Sequence, residues 1–482
     1  MSALPAPQPA LAASAESDAS CRVPLLVLFV SAALWLALGS VFSLIASIKF
    51  HAPAFLAGNG WLTYGRVLPA GANALLYGFA LPAGLGVALW LLARLGRTPL
   101  AWPGLVVVAA LFWNFGVATG LLGILGGDTT GFAWLEMPRY AWPLLFTAYL
   151  GIGVSALLTF YRRRVSGLYV SQWFLLAALF WFPWVYSTAN VLLTCVPVRG
   201  VVQAAVAWWF ANNLGTVCLG FFGLAAIFYF LPKLTGRPLH SLYLAMFAFW
   251  TLALFGSWMG VAPGSPLPAW MPAVSTAGAV LCLIPLLAVA VNCGHTLAGE
   301  TARWKSDTSF AFILFGVAAW TVAGVLGAVT AIPEVSALTH FTWLERAQSQ
   351  LFVFGFFAMT MFGAVYHIVP RLVPGGALCP KMMRLHFWCA ALGTIALVLP
   401  LAVGGVVQGL ALNQPDTAFT DTMKLTLPYL RVSTLGDLLI AVGNVTLVVN
   451  FGYLLGNCCR ACCVPAWKAV TTRPPQPAGA TP

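Results

Sequence analysis

The sequence predicts an all-α integral membrane protein, a bundle of twelve transmembrane helices. Three observations carry that prediction. Of 482 residues, 61% are hydrophobic and 7% charged, whereas a soluble domain covers its surface with about a quarter charged residues. Apolar runs of about 20 residues, the length that crosses a bilayer as a helix, recur along the whole chain. The Lys and Arg side chains gather in the short loops between those runs and favour one side. A cytosolic globular enzyme is thereby excluded, and so is a disordered chain except at the two ends. The 20 Trp and 33 Phe suit a many-span protein with aromatic residues at its interfaces.

The runs follow in order. The first, 23–48, begins after Arg22 and stops at Lys49; the second, 71–92, lies between Arg66 and Arg94. The third is 105–125. The fourth and fifth, 143–160 and 170–191, flank the triplet Arg162-Arg163-Arg164. The sixth, 206–231, closes before Lys233, and the seventh is 242–261. Arg303 and Lys305 separate the eighth, 271–291, from the ninth, 310–332. The tenth, 348–369, ends before Arg371, the eleventh, 387–410, follows Lys381 and Arg384, and the twelfth is 435–455. Residues 1–22 are rich in Ala, Pro and Ser and lack the basic start of a signal peptide. They read as a disordered cytoplasmic tail before an uncleaved first anchor. Residues 23–457 form the membrane domain, and 458–482 a second cytoplasmic tail, Cys-rich and then disordered.

Twelve crossings put both termini on one side. Of the 23 basic residues, seven lie on the other side: Lys49, Arg66, Arg139, Arg199, Arg346, Lys424 and Arg431. The remainder share the side of the termini, and cytoplasmic loops carry the Lys/Arg excess. The chain is therefore expected in a bacterial-type inner membrane with both termini in the cytoplasm. The net charge of +12 reads as a topology signal rather than a nucleic-acid surface, and the Arg162–Arg164 triplet likewise. The 11 Cys are mostly scattered singly in apolar stretches, which argues against a disulfide framework. There is no Cys-x-x-Cys-His for a covalent haem. Ionisable groups are nearly missing from the spans, with Asp437, at the outer start of the last one, the clearest carboxylate. A coupled transporter keeps such groups along its path, and the sequence shows no polar path and no pair of matching broken helices.

Two stretches carry a resemblance: Trp208-Trp209-Phe210-Ala211-Asn212-Asn213, and Phe228 to Pro238 with its Leu231-Pro232-Lys233-Leu234-Thr235-Gly236 core. Tyr64-Gly65-Arg66 with Pro69 and Asn73, Leu168-Tyr169-Val170 with Trp173-Phe174, and Ala337 to Thr342 running into Phe362-Gly363-Ala364-Val365-Tyr366 continue it in order. Gly405 to Gly409 and Pro428-Tyr429 complete it. Together these segments, over about residues 25–455, resemble the catalytic subunit (subunit I) of the C-family, cbb-type heme–copper cytochrome c oxidases.

That resemblance implies b-type haems and copper held by six intramembrane histidines, imidazole being a neutral, directional donor to both metals. Here the positions read otherwise. The second-helix haem ligand falls on Gly71 and the sixth-helix copper ligand on Asn212. The paired copper histidines fall in 259–268, which has no His, and the His-x-His pair of the tenth helix falls on Gln348 and Gln350. The tyrosine that the family cross-links falls near Gly256, and an arginine that pairs haem propionates near Ser433. The six His are His51, His240, His295, His340, His367 and His386. His340 fits a family histidine that is not an iron ligand. His367 lies about 28 Å along the helix from Gln348 at about 1.5 Å per residue. No catalytic, cofactor-binding or metal site and no haem or copper is expected. Phe352, Phe354, Phe356 and Phe357 would fill the space, and Gln348, Gln350, Asn212 and Asn73 would join in an amide network.

Cys458, Cys459, Cys462 and Cys463 could hold zinc or an iron–sulfur cluster, though adjacent Cys pairs one turn apart read first as free thiols near the membrane. The favoured reading is a cofactor-less, non-catalytic subunit of a respiratory electron-transfer complex, partnered by other oxidase subunits and by a histidine-complete subunit I. Two alternatives stay open. One is an active terminal oxidase or nitric oxide reductase with unrecognised haem ligands, and the other a transporter or channel.

Overall fold

The computed structural model describes residues 8–373 and 376–471, and side chains within 13–457. All regular structure among the described residues is helical. Twelve rods follow one another: α1 (Gln8–His51), α2 (Tyr64–Gly96), α3 (Pro103–Gly126), α4 (Trp142–Tyr161), α5 (Val170–Cys195), α6 (Val202–Thr235), α7 (Leu242–Gly256), α8 (Trp270–Leu297), α9 (Thr308–Thr330), α10 (Trp343–Leu372), α11 (Pro380–Leu412) and α12 (Phe419–Thr471). Eleven are long and apolar enough to cross a membrane, and α7 is a shorter apolar helix. Loops of at most fifteen residues join them, and the described start of α1 lies with the ends of α2 and α10, near Arg94 and Leu372, at what is here termed the terminal side.

Burial separates an inner set from an outer set. Nearly every residue of the central stretches of α2, α6 and α10 is inside the bundle, whereas the other long helices bury about half of theirs. The outer faces carry Leu, Val, Phe and Trp to the exterior, as lipid requires. Each inner helix contains a π-helical stretch at its middle: Ala74–Ala80 in α2, Asn213–Leu219 in α6 and Leu351–Ala358 in α10. Another ends α5, Val191–Cys195. Such turns widen the helix by one residue and recur at functional sites. Three of the four start beside an Asn whose side-chain amide donates to the carbonyl four residues back: Asn73 to Pro69 at 2.8 Å, Asn213 to Trp209 at 2.9 Å and Asn190 to Tyr186 at 2.9 Å. The amide supplies a donor where the backbone ladder changes register.

Of the expected boundaries that differ, three bear on the site. The seventh span, expected over 242–261, ends at Gly256, because Gly260 takes φ +106° and Pro263, Pro266 and Pro268 follow; prolines lack the N–H that would continue the helix. Residues 8–22, expected as a disordered tail, belong to α1. Within them the Trp90 indole donates to Asp18 at 2.8 Å, and Arg94 pairs with Asp18 at 3.2 Å. The eleventh helix starts at Pro380 rather than 387, which carries His386 into the bundle.

Candidate functional site

The space enclosed by α1, α2, α10, α11 and α12 holds Gln350 and Asp437, and Gly71 packs at the α1–α2 contact nearby. Gly71 faces α1. A Cβ there would lie 2.7 Å from the Ser43 hydroxyl and 3.1 Å from the Gly39 carbonyl, so the glycine lets the two backbones meet. Gln350, two helical turns below the start of α10, lines a chamber with Ser40, Ser43, Phe354 and Asp437 that leaves about 20 Å³ for the centre of a water-sized molecule. That is room for about one water. Phe354 walls the chamber, Phe357 packs 3.3 Å from where a Gly84 Cβ would stand, and Phe356 presses on Gly223.

Gln348 points elsewhere, toward α9, where the Thr330 hydroxyl donates to its amide oxygen at 3.2 Å. Asn212 is engaged on the other side of the bundle. Its amide donates to the Gly256 carbonyl at 2.8 Å, while Asn213 donates to Ser257 at 3.1 Å and accepts from the Trp181 indole at 3.0 Å. These amides satisfy carbonyls that the end of α7 leaves over. Gly260 lies against the Asn212 side chain, 2.6 Å from Cβ to Cβ if a methyl were added. Beyond it, Met259 and Val261 border an apolar cleft of about 560 Å³ walled by Trp184, Trp209, Trp258 and Trp270.

The expected network of Gln348, Gln350, Asn212 and Asn73 does not form. Each of Gln348, Asn212 and Asn73 finds a nearer partner, and Asn73 binds a residue that sequence reasoning missed. Its amide donates to Glu136 at 2.8 Å. Glu136 belongs to the loop between α3 and α4, which dips between the helices; Tyr77 donates to the Trp134 carbonyl of the same loop at 2.7 Å. Burial pushes the Glu136 carboxyl up from its ordinary range, and the Asn73 bond pulls it partly back.

Asp437 is also placed differently from the expectation. It sits well inside the bundle, 5% exposed, because α12 begins at Phe419, eighteen residues earlier. One carboxyl oxygen has no hydrogen-bond partner. The Arg346 guanidinium and the Ser47 hydroxyl act on it, and all three border a second, smaller space beside Ser433. His386 is fully buried on α11, its Nδ1 2.8 Å from the Tyr366 hydroxyl. His367 stands between Trp90 and Phe230. His340 pairs with Glu345 at the start of α10, away from these groups. Among the described residues no cluster of three His, Cys, Asp or Glu could hold a metal ion. The side chains of Cys458, Cys459, Cys462 and Cys463 lie outside the described residues.

Comparison with known proteins identifies the fold. The family described as Cytochrome C and Quinol oxidase polypeptide I matches residues 23–439. The Cbb3-type cytochrome c oxidase subunit CcoN1 of Stutzerimonas stutzeri is 25% identical over 410 residues, which cover 81% of this chain and 85% of that protein. A cytochrome c oxidase subunit 1 homolog of Azorhizobium caulinodans is 24% identical over 447 residues, 87% of this chain and 79% of its own. Cytochrome c oxidase subunit 1 of Rhodobacter capsulatus is 24% identical over 448 residues, 86% and 82%. The expected resemblance to oxidase subunit I thus holds at the level of the family. With an all-helical bundle and a match over most of its length, the chain belongs to the cytochrome c and quinol oxidase polypeptide I family.

Proposed function

We propose that this chain is a subunit of a respiratory electron-transfer complex that itself binds neither haem nor copper. One observation carries the reading: Gly71 and Gln350 stand where the resemblance expects haem-ligand histidines, Gly71 packed against Ser43 and Gly39 of α1, and the chamber beside Gln350 has room for about one water. The remaining positions support it. Gln348 and Asn212 spend their amides on Thr330 and Gly256, so they stitch helices together rather than offer lone pairs to a metal. The residues present do not fit a porphyrin, and no redox step is assigned to them. The partners in this reading are other oxidase subunits, one of them a histidine-complete subunit I, in a bacterial inner membrane with both termini in the cytoplasm.

Purified protein tests the reading through its absorption spectrum and metal content. No Soret band and no stoichiometric iron or copper are expected, and one haem per chain overturns it. Affinity purification from native membranes should bring down a haem-containing subunit I. A reporter fused after residue 482 should be active only in the cytoplasm.

A second reading, an active oxidase or nitric oxide reductase, has one observation in its favour. His367 and His386 are both buried with Nε2 free of hydrogen bonds, the condition of an imidazole that could ligate iron. A Soret band lost in both His367→Leu and His386→Leu would establish that reading in place of the first.

A further inference from the structure

Lys and Arg in the terminal-side loops serve topology, and a cation there is explained once it also finds a carboxylate. In the loop between α8 and α9, Glu300 pairs with Arg303 and with Arg237, just past the end of α6. Lys305 and Arg384 differ. Lys305 lies two residues from the end of that loop, and Arg384 stands in the second turn of α11. Neither makes a hydrogen bond or an ion pair with any described residue. Both border one recess of about 200 Å³ between the starts of α9 and α11, together with Trp304, Thr308, Phe387 and Trp388. No carboxylate lines it. Asp307, the nearest in sequence, turns back to cap α9 by accepting from the Phe310 N–H at 3.2 Å.

The recess has a cationic mouth and an apolar floor. Trp304, Lys305, Arg384 and Trp388 are exposed. The two indoles meet edge to face at 6.0 Å, and the Lys305 ammonium lies 5.9 Å from the centre of the Trp304 ring. Beneath them Phe387 is buried against Phe312 at 5.2 Å. Thr308 is the first residue of α9, where the unpaired N–H groups of a helix start add partial positive charge. The depth is set by α10, which ends on the terminal side where Arg22 donates to the Leu372 carbonyl at 2.7 Å, and α11 opens just after it. The recess therefore lies at the terminal-side interface, the level that Trp favours. From Trp388 the outer face of α11 continues into the bilayer as Leu392, Ile395 and Leu399, all exposed and spaced by about one helical turn. Since about 10–15 Å³ admits one water, a recess of about 200 Å³ has room for a phosphodiester and its glycerol.

We propose that this recess binds the headgroup of an anionic phospholipid from the terminal-side leaflet. Arg384, with its planar fork of N–H donors, and Lys305, a point charge, clamp the phosphate. Trp304 and Trp388 pack on the glycerol, and an acyl chain runs down Leu392, Ile395 and Leu399. Topology asks for cations in this loop, but not for two unpaired ones to converge between helices. The same chemistry selects among lipids. Two cations without a carboxylate repel the ammonium of an ethanolamine or choline headgroup, so the indoles do not serve it as an aromatic cage. Phosphatidylglycerol and cardiolipin carry no such ammonium and fit. The apolar face below the recess separates a lipid from free phosphate, which gains nothing from it. The inference stands whether or not the chain binds haem.

Delipidated protein in detergent, titrated with dioleoyl phosphatidylglycerol or dioleoyl phosphatidylcholine and read by native mass spectrometry, tests the proposal. Each cation near the surface contributes about fivefold, so one phosphatidylglycerol should bind roughly 25-fold more tightly than phosphatidylcholine. Lys305→Gln with Arg384→Gln should abolish that preference. Arg162→Gln with Arg164→Gln, an equal change of charge on the same side, should leave it intact. Millimolar inorganic phosphate should not displace the lipid. Wild-type protein gives an answer that does not depend on how the variants fold. Phosphatidylglycerol with a diazirine in its acyl chain, photolysed in reconstituted vesicles, should label α11 between Arg384 and Leu399. Equal affinity for the two lipids, or a preference that survives K305Q/R384Q or falls as far in the control, overturns the proposal. So does displacement by phosphate, or labelling confined to other helices.

Discussion

The Asn73 amide of α2 donates to a Glu136 carboxylate oxygen at 2.8 Å, which pins the loop between α3 and α4 to the point where α2 widens into its π-helical stretch. Glu136 is held above its ordinary value of 4.5 by burial, with the Asn73 bond as a partial offset. A carboxyl raised in the folded state binds more protons folded than unfolded at pH values above the ordinary one. Its contribution to stability is therefore full below that value and declines as pH rises through the raised folded value. Glu136→Gln keeps an acceptor for Asn73 and removes the titration. Thermal unfolding in detergent from about pH 4 to about pH 8 should be flatter for E136Q, with the variant the more stable at the alkaline end. Superimposable pH profiles would remove Glu136 from this role.

At Gly71 the two backbones of α1 and α2 are close enough that a methyl would lie 2.7 Å from the Ser43 hydroxyl and 3.1 Å from both the Gly39 carbonyl and the Ser43 amide nitrogen. Gly71→Ala should therefore destabilise the pair by about 1–3 kcal/mol, the range for overpacking. Removing the hydroxyl as well, in Gly71→Ala with Ser43→Gly, should restore only part of the loss, because the backbone contacts persist. Unfolding in mixed detergent reads both. A G71A variant as stable as wild type would show that the helices can separate at no cost.

The rods and their order were legible in the sequence because hydropathy and length decide a membrane span almost alone. The inner and outer sets were not, since both are apolar throughout and their difference lies in what surrounds them. His386 shows the limit most clearly. Lys381 and Arg384 suggested a helix starting at 387, yet Pro380 opens it about two turns earlier, and the histidine ends fully buried beside Tyr366. The contacts of Asn444 with Ser40 and of Tyr366 with His386 escaped sequence reading for another reason. Ser40, Asn444 and Tyr366 are unremarkable in membrane helices one at a time, and only the packing of α1, α10, α11 and α12 aligns them. Glu136 looked like a loop carboxylate, and nothing in its neighbourhood of sequence signals that the loop turns inward to Asn73.

Gln348 makes one interhelical bond, accepting from Thr330 at 3.2 Å, while that hydroxyl already donates to the Leu326 carbonyl within its own helix at 2.9 Å. Gln348→Leu therefore leaves Thr330 satisfied. The loss should stay near about 0.6 kcal/mol and not exceed about 1.7 kcal/mol, the span measured for hydrogen bonds between membrane helices. A larger loss, read from denaturant unfolding in micelles, would mean that Gln348 holds more of α9 than its one bond suggests.

Histidine at both tenth-helix positions should not create a haem site. Residues two apart on an α-helix, with about 3.6 residues per turn, point about 200° from each other. The structure bears this out: Gln348 turns to Thr330 on α9, its amide nitrogen 3.1 Å from where a Gly327 Cβ would stand, whereas Gln350 turns into the chamber shared with Ser40 and Asp437. An imidazole at 348 would meet α9 with no second ligand opposite, since Asn212 is bound to Gly256. An imidazole at 350 would face Asp437 and Ser40 in the chamber, with no second imidazole among its walls. The Gln348→His, Gln350→His double variant, incubated with hemin and purified, is therefore expected to carry no stoichiometric Soret band and to consume no oxygen. If it binds one haem per chain, the assignment of these positions to facing and opposing walls is wrong, and the bundle interior must open further than this packing allows.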